Sequence, residues 1–121
     1  MIVLLRFRVS EQESARFQEQ ARAAVDVLAE RVGFLTADLG RNLDEPALWT
    51  LTTRWRDVGS YRRALQGYES KTVVVPLLSL ALDEPSAYEA PELAGDVQAG
   101  DLPGGDVWAD SARDRRYPEG R

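Results

Sequence analysis

The spacing of hydrophobic residues changes several times between Met1 and Tyr88, and each change marks an element. Over "IVLLRFRV", residues 2–9, Val3, Leu5, Phe7 and Val9 alternate with Ile2, Leu4, Arg6 and Arg8. A period of two predicts a strand with one wholly apolar face. Ser10 stands three residues before Glu13, the spacing of a capping box, and predicts a helix start. In "EQESARFQEQARAAVDVLAERVG" the residues Phe17, Ala21, Ala24, Val25, Leu28 and Val32 recur every three or four positions. They form the stripe of an amphipathic helix, and Gly33 supplies its stop. Residues 34–40, "FLTADLG", read as a second strand. "RNLDEP" reads as a turn, with Asn42 there for its backbone preferences. Over "ALWTLTTRW", residues 47–55, alternation returns. Trp49, Leu51, Thr53 and Trp55 share one face; Leu48, Thr50, Thr52 and Arg54 share the other. Asp57 caps a second helix, roughly residues 58–69, with Tyr61, Ala64, Leu65 and Tyr68 on its stripe. β-branched residues 73–75 before Pro76 predict a break, and a fourth strand is expected over residues 78–83.

The order β-α-β-β-α-β predicts an α+β, ferredoxin-like fold over residues 1–90, with one antiparallel sheet and both helices on one face. The other sheet face carries Ile2, Leu4, Leu48 and Thr52 beside Arg6, Arg8 and Arg54. Leaving it in water costs about 25 cal/mol per Å² of apolar area, so a homodimer is expected to cover it. The three arginines are expected to pair with Asp38 or with carboxylates of the partner. "LDEP" occurs twice, at Leu43–Pro46 and Leu82–Pro85, and reads as two exposed turns rather than a catalytic dyad. Residues 91–121 hold five Gly and three Pro with no sustained period. They read as an acidic, mostly disordered tail, in which Trp108 is the largest apolar side chain.

Composition narrows the chemistry. The chain has 121 residues, a one-domain length, and a net charge of −5 that disfavours nucleic acid and anionic membranes. It has no Cys and no His, which removes thiolate nucleophiles, disulfides, Cys or His metal sites, Ser-His triads and a haem held by histidine. Fourteen of its fifteen basic residues are Arg, the mark of a GC-rich bacterial genome. "MIVLLRFRV" is too short and too charged for a secretory signal, and no run reaches membrane-spanning length, so a cytoplasmic protein is expected.

The strings "LLRFRV", "GFLTADLGRNLDEPALWTLTTRW", "RDVGSYRRAL" and "VPLLSLALDEPSAYE", in this order, resemble the antibiotic biosynthesis monooxygenase domain of the dimeric α/β-barrel group. The resemblance covers about residues 1–90. It implies two ferredoxin-like sheets packed face to face in a homodimer, with a pocket in each subunit between its own sheet and helices. It also implies oxidation of an aromatic by molecular oxygen, without metal or flavin. The haem-degrading branch of the group uses an Asn on the first strand, a Trp ending the third and a His near the second helix. Trp55 matches the Trp, Phe7 stands near the place of the Asn, and the His is missing, so that branch is not implied.

Oxygenation of this kind needs an apolar pocket, a stabilised anion and excluded water. Trp55 and Tyr68 are the candidate catalytic residues, the first to stack on a flat ring and donate its N–H, the second to supply a hydroxyl. Phe7, Val9, Tyr61 and Leu65 are the candidate substrate-binding residues. The ligand expected is a small or polycyclic aromatic of the hydroquinone or anthrone kind. The alternative is a non-catalytic small-molecule-binding or scaffold protein of the same fold. The two part on the polar content of the pocket. A closed, apolar cavity with Tyr61 and Tyr68 in solvent has no agent for proton abstraction.

Overall fold

A computed structural model describes residues 1–91 of the chain, and Met1–Glu89 form one compact unit. The expected tail over residues 91–121, with Trp108, lies almost wholly outside the described residues. The elements are β1 (Ile2–Arg8), α1 (Ser14–Ala29), β2 (Phe34–Arg41), β3 (Leu48–Trp55), α2 (Val58–Ala64), α3 (Val75–Leu78) and β4 (Ala87–Tyr88). The sheet order is β2-β3-β1-β4, and every neighbouring pair is antiparallel. This is the ferredoxin-like arrangement expected from the pattern. Among the described residues, no helix is long and apolar enough to cross a membrane.

Alternation decides the sheet. Val3, Leu5 and Phe7 of β1 and Trp49, Leu51, Thr53 and Trp55 of β3 are all buried on one face. The two strands pair from Ile2 opposite Arg54 to Arg8 opposite Leu48, so the buried sets stand opposite each other. α1 lays Phe17, Ala21, Ala24 and Leu28 on that face. Aromatic edges lock the Trp49 end: Phe17 lies 4.9 Å from Phe7 and 5.5 Å from Trp49 between ring centroids. Such offset pairs add about 0.5–1.5 kcal/mol each beyond their buried area.

Two details of the first helix differ from expectation. Ser10 makes no side-chain cap; a 3₁₀ turn over Glu11–Glu13 comes first, and Ser14 Oγ donates to the Glu11 carbonyl at 3.0 Å. The carbonyl of Ser10 already accepts the Glu13 N–H, so the local turn replaces the capping box. The helix stops at Ala29, so Val32 falls beyond its stripe and is 73% exposed. Gly33 then turns the chain at φ +92.

The second half differs more. α2 ends at Ala64 rather than near residue 69, and Gly67 at φ +94 separates it from the next helical segment. The residues read as a break and a strand are helical instead: a π turn over Ser70–Val74 runs into α3. Pro76 lies in the first turn of α3, where a missing N–H costs nothing. Ser70, Val74 and Leu77 are buried, with Ala81 packed beside them, a helical spacing that outweighs the β-branched run. Ser70 Oγ donates to the Ala64 carbonyl and accepts from Arg31 Nη2 at 2.9 Å, tying the turn to the ends of α2 and α1. The fourth strand therefore comes later than residues 78–83. Leu82 N donates to Arg6 O, Leu4 N donates to Ser86 O, and regular pairing is confined to Ala87 and Tyr88. Pro85 lacks the N–H a longer ladder would need.

Asp57 caps α2 as expected: its Oδ1 accepts the Ser60 N–H at 2.7 Å. That bond, then the Ser60 side chain and Arg56, hold the Asp57 carboxyl at about 2 against an ordinary 3.8. The folded value lies below the unfolded one, so the stabilisation is fully present above pH 3.8 and drains away as pH falls towards 2. Asparagine caps equally well but does not titrate. Urea midpoints of an Asp57→Asn variant are therefore expected to fall less steeply than wild type across that window. Parallel curves would assign the acid sensitivity elsewhere.

Candidate functional site

Trp55 ends β3 beside the start of β1, where its N–H bonds to Met1 O and its carbonyl accepts from the Met1 amino group. Its side chain is 1% exposed. Phe34 meets its ring edge-on at 5.4 Å, and Tyr61 tilts against it at 5.6 Å. Its indole N–H donates to Thr53 Oγ1 at 2.8 Å. The indole N–H of Trp55 is thus satisfied inside the protein, by a neighbour two residues back on the same strand face, whereas the buried indole N–H of Trp49 on that face has no hydrogen-bond partner among the described residues.

Next to this aromatic group, between sheet and helices, is an enclosed cavity of about 10 Å³. That is room for one water at most. Val3, Leu5, Leu51 and Thr53 form its sheet wall; Tyr61, Leu65, Val74 and Leu77 lie among the residues that close it from the helical side. Burial pushes the Tyr61 hydroxyl above its ordinary 10, so at neutral pH it keeps its proton and can only donate to an anion. None of the other residues around the cavity is titratable.

The six candidate residues fall in three places. Trp55, Tyr61 and Leu65 come together: the Trp55 ring meets the tilted ring of Tyr61, and Tyr61 and Leu65 line the cavity. Phe7 and Val9 share the buried sheet face with Trp55 but lie at its other end, since Phe7 pairs with Trp49, six residues along β3. At about 3.3 Å per residue that is roughly 20 Å. They border a separate cleft of about 280 Å³ against the first turns of α1. Tyr68 is 84% exposed, because α2 has ended and Gly67 has turned the chain before it. Within one chain it does not reach the cavity. Thr53, Val74 and Leu77 were not among the candidates. The alternation of β3 places Thr53 beside Trp55, and the spacing 70-74-77-81 was the signal for the other two.

On the opposite sheet face, Arg6 makes a two-bond fork with Glu84, Nε to Oε2 and Nη2 to Oε1, both 2.7 Å. Arg8 Nη1 donates to Glu45 Oε2 at 2.9 Å. Asp38 is not the partner of either. The glutamates belong to the two "LDEP" turns, one reaching β1 from the β2–β3 turn and the other from the segment before β4. Arg6 holds the Glu84 carboxyl below the usual range, through the hydrogen bond first. Asn42 Oδ1 accepts from the N–H groups of Asp44 and Glu45, both at 2.8 Å, and so shapes the first of these turns.

The family model described as "antibiotic biosynthesis monooxygenase" matches residues 1–74. No curated protein matches the chain. Among solved structures, the chain resembles SnoaB, a cofactor-independent oxygenase from Streptomyces nogalater, with TM-score 0.62 and 21% identity over 78% of this chain and 96% of that one. It resembles a conserved protein from Methanosarcina mazei Go1, with TM-score 0.59 and 21% identity over 71% and 84% of the two chains. Rv0793 from Mycobacterium tuberculosis gives TM-score 0.59 and 15% identity over 78% and 97%. At these identities the likeness is one of fold.

Proposed function

Because the chain belongs to the antibiotic biosynthesis monooxygenase family, we propose that it is a cytoplasmic, homodimeric oxygenase that attacks a small or polycyclic aromatic of the hydroquinone or anthrone kind with molecular oxygen and no cofactor. SnoaB, which shares the fold, is described as a cofactor-independent oxygenase. The observation that carries the reading is Tyr61, which lines an apolar cavity with its ring against that of Trp55 and keeps its proton at neutral pH.

The reaction needs little from the protein. An anthrone loses a proton from the CH₂ between its rings, and the carbanion passes an electron to oxygen. Radical and superoxide combine to a hydroperoxide, and loss of water leaves a carbonyl. One oxygen atom ends in the quinone and the other in water. Tyr61 donates to the substrate oxygen as negative charge develops there, in a site without competing water. No residue of the cavity can serve as base, so the substrate enters as its anion, its proton already released to solution, and the rate tracks the ionisation of the substrate. Entry requires the helical wall to move. Gly67 is the natural pivot, and the π turn after it is a local irregularity of the kind that often borders functional sites. The outer sheet face, with Ile2, Leu4 and Leu48, meets its own copy in the dimer.

The tightness of the cavity favours a second reading, a non-catalytic binding or scaffold protein. Oxygen uptake with an anthrone separates the two. Wild-type protein is expected to raise the rate above the spontaneous one. Tyr61→Phe keeps the ring packing and is expected to lower kcat/KM about a hundredfold. Uptake equal to the spontaneous rate, in folded protein that still binds the anthrone, would establish the second reading.

A further inference from the structure

We propose that the cleft between the end of β1 and the first turns of α1 is a binding site of its own, for a one- or two-ring aromatic carboxylate. It shares no lining residue with the enclosed cavity beside Trp55. Its volume of about 280 Å³ is close to the lower end, about 300 Å³, of typical ligand pockets. That suits a bicyclic acid and excludes a four-ring polyketide.

The inner wall is rigid. Phe7, Val9 and Phe17 line it, all are buried, and the two phenyl rings meet at 4.9 Å with an angle of 54°. Phe17 is braced in turn by the edge of Trp49 at 5.5 Å, so the aromatic surface is in place before a ligand arrives. Leu80 forms the outer wall and is 54% exposed, apolar surface that a flat ring would cover.

The rim supplies the charge. Arg8 lines the cleft but is already engaged by Glu45. The side chain of Arg16, in the first turn of α1, makes no hydrogen bond or ion pair among the described residues. A guanidinium offers a planar fork that matches a carboxylate, and it gains most where no acidic partner must be displaced. Glu13 and Gln20 complete the rim and can accept from a ring hydroxyl. A flat apolar floor under one uncommitted guanidinium therefore recognises an aromatic acid, with extra affinity for one that carries a hydroxyl.

The test uses the full chain, labelled with ¹⁵N and titrated with naphthoate, with naphthylmethanol as the neutral control. Naphthoate is expected to bind and to shift the amides of Phe7, Val9, Arg16 and Phe17. Naphthylmethanol is expected to bind at least about tenfold more weakly. Arg16 is exposed and outside the core, so Arg16→Gln should keep the fold, checked by its unperturbed spectrum. That variant is expected to lose about tenfold in naphthoate affinity and none in naphthylmethanol affinity. No naphthoate binding, equal binding by the Arg16→Gln protein, or shifts centred on Tyr61 and Leu65 would each overturn the proposal. Because the two lining sets are disjoint, failure here leaves the Tyr61 reading standing, and failure of the oxygenase assay leaves this site standing.

Discussion

Replacing Trp55 with alanine is expected to lower the unfolding free energy by about 3–5 kcal/mol. The side chain is the largest among the fully buried ones, and it packs between Phe34 and Tyr61. Truncation leaves a void bounded by β2, β3 and α2, and rings held by strand and helix backbones cannot collapse into it. It also strips Thr53 Oγ1 of its donor. Against a total of about 5–15 kcal/mol for a domain, the loss is a large fraction. Thermal unfolding should drop by roughly 12 °C or more for a domain of this size. Trp55→Phe keeps most of the volume and is expected to cost clearly less. Calorimetry of both variants checks the pair of values. A loss below about 1 kcal/mol for the alanine variant would mean that the ring is not a core element. The consequence for function is direct. An activity loss in Trp55→Ala cannot be read as chemistry, because the helical wall of the cavity rests on this ring through Tyr61. The conservative Tyr61→Phe change carries that question.

Gly33→Ala is expected to cost about 2–5 kcal/mol from two separable sources. The backbone there sits at φ +92, where a Cβ crowds its own carbonyl, worth about 1–2 kcal/mol. A Cβ would also overlap the Cβ and Oγ of Ser60 at the start of α2, while Arg56 N donates to the Gly33 carbonyl at 2.8 Å and holds the segments together. The overlap cannot be relieved without moving the first turn of the helix, which Asp57 has capped through the Ser60 N–H. A double-mutant cycle separates the sources. In a Ser60→Gly background the overlap vanishes and only the backbone cost remains, so the coupling between the two sites is expected to be about 1–3 kcal/mol. A coupling near zero in denaturant titrations would assign the whole cost to the backbone angle.

How much of this could be read from the chain depends on which force decides each segment. β1, α1 and β3 were legible because burial on one face imposes a strict period, two for Val3-Leu5-Phe7 and three to four for Phe17-Ala21-Ala24-Leu28. Asp57 was legible because a cap is a local interaction. The segment from Tyr68 to Asp83 was not. Its β-branched residues and Pro76 argue for extended chain, and packing of the buried Ser70, Val74 and Leu77 segment against α1 overrides them. The candidate site was legible only as a set of residues on one face. Strand alternation says that Phe7 and Trp55 point the same way, but not that pairing with Trp49 puts Phe7 at the far end. Tyr61 and Tyr68 are seven apart and would share a helix face, but Gly67 at positive φ ends that equivalence.

The doubled "LDEP" has a consequence for self-recognition. A surface that meets its own copy about a two-fold axis meets its own charge pattern, so an uncompensated cation near the axis is faced with its twin. Arg6 and Arg8 stand on the sheet face proposed to meet the second subunit, and each already carries a glutamate from its own chain. The turns therefore make this stretch of β1 electrically quiet before any encounter. Association can then be driven by the neighbouring Ile2, Leu4 and Leu48, and it should depend little on ionic strength.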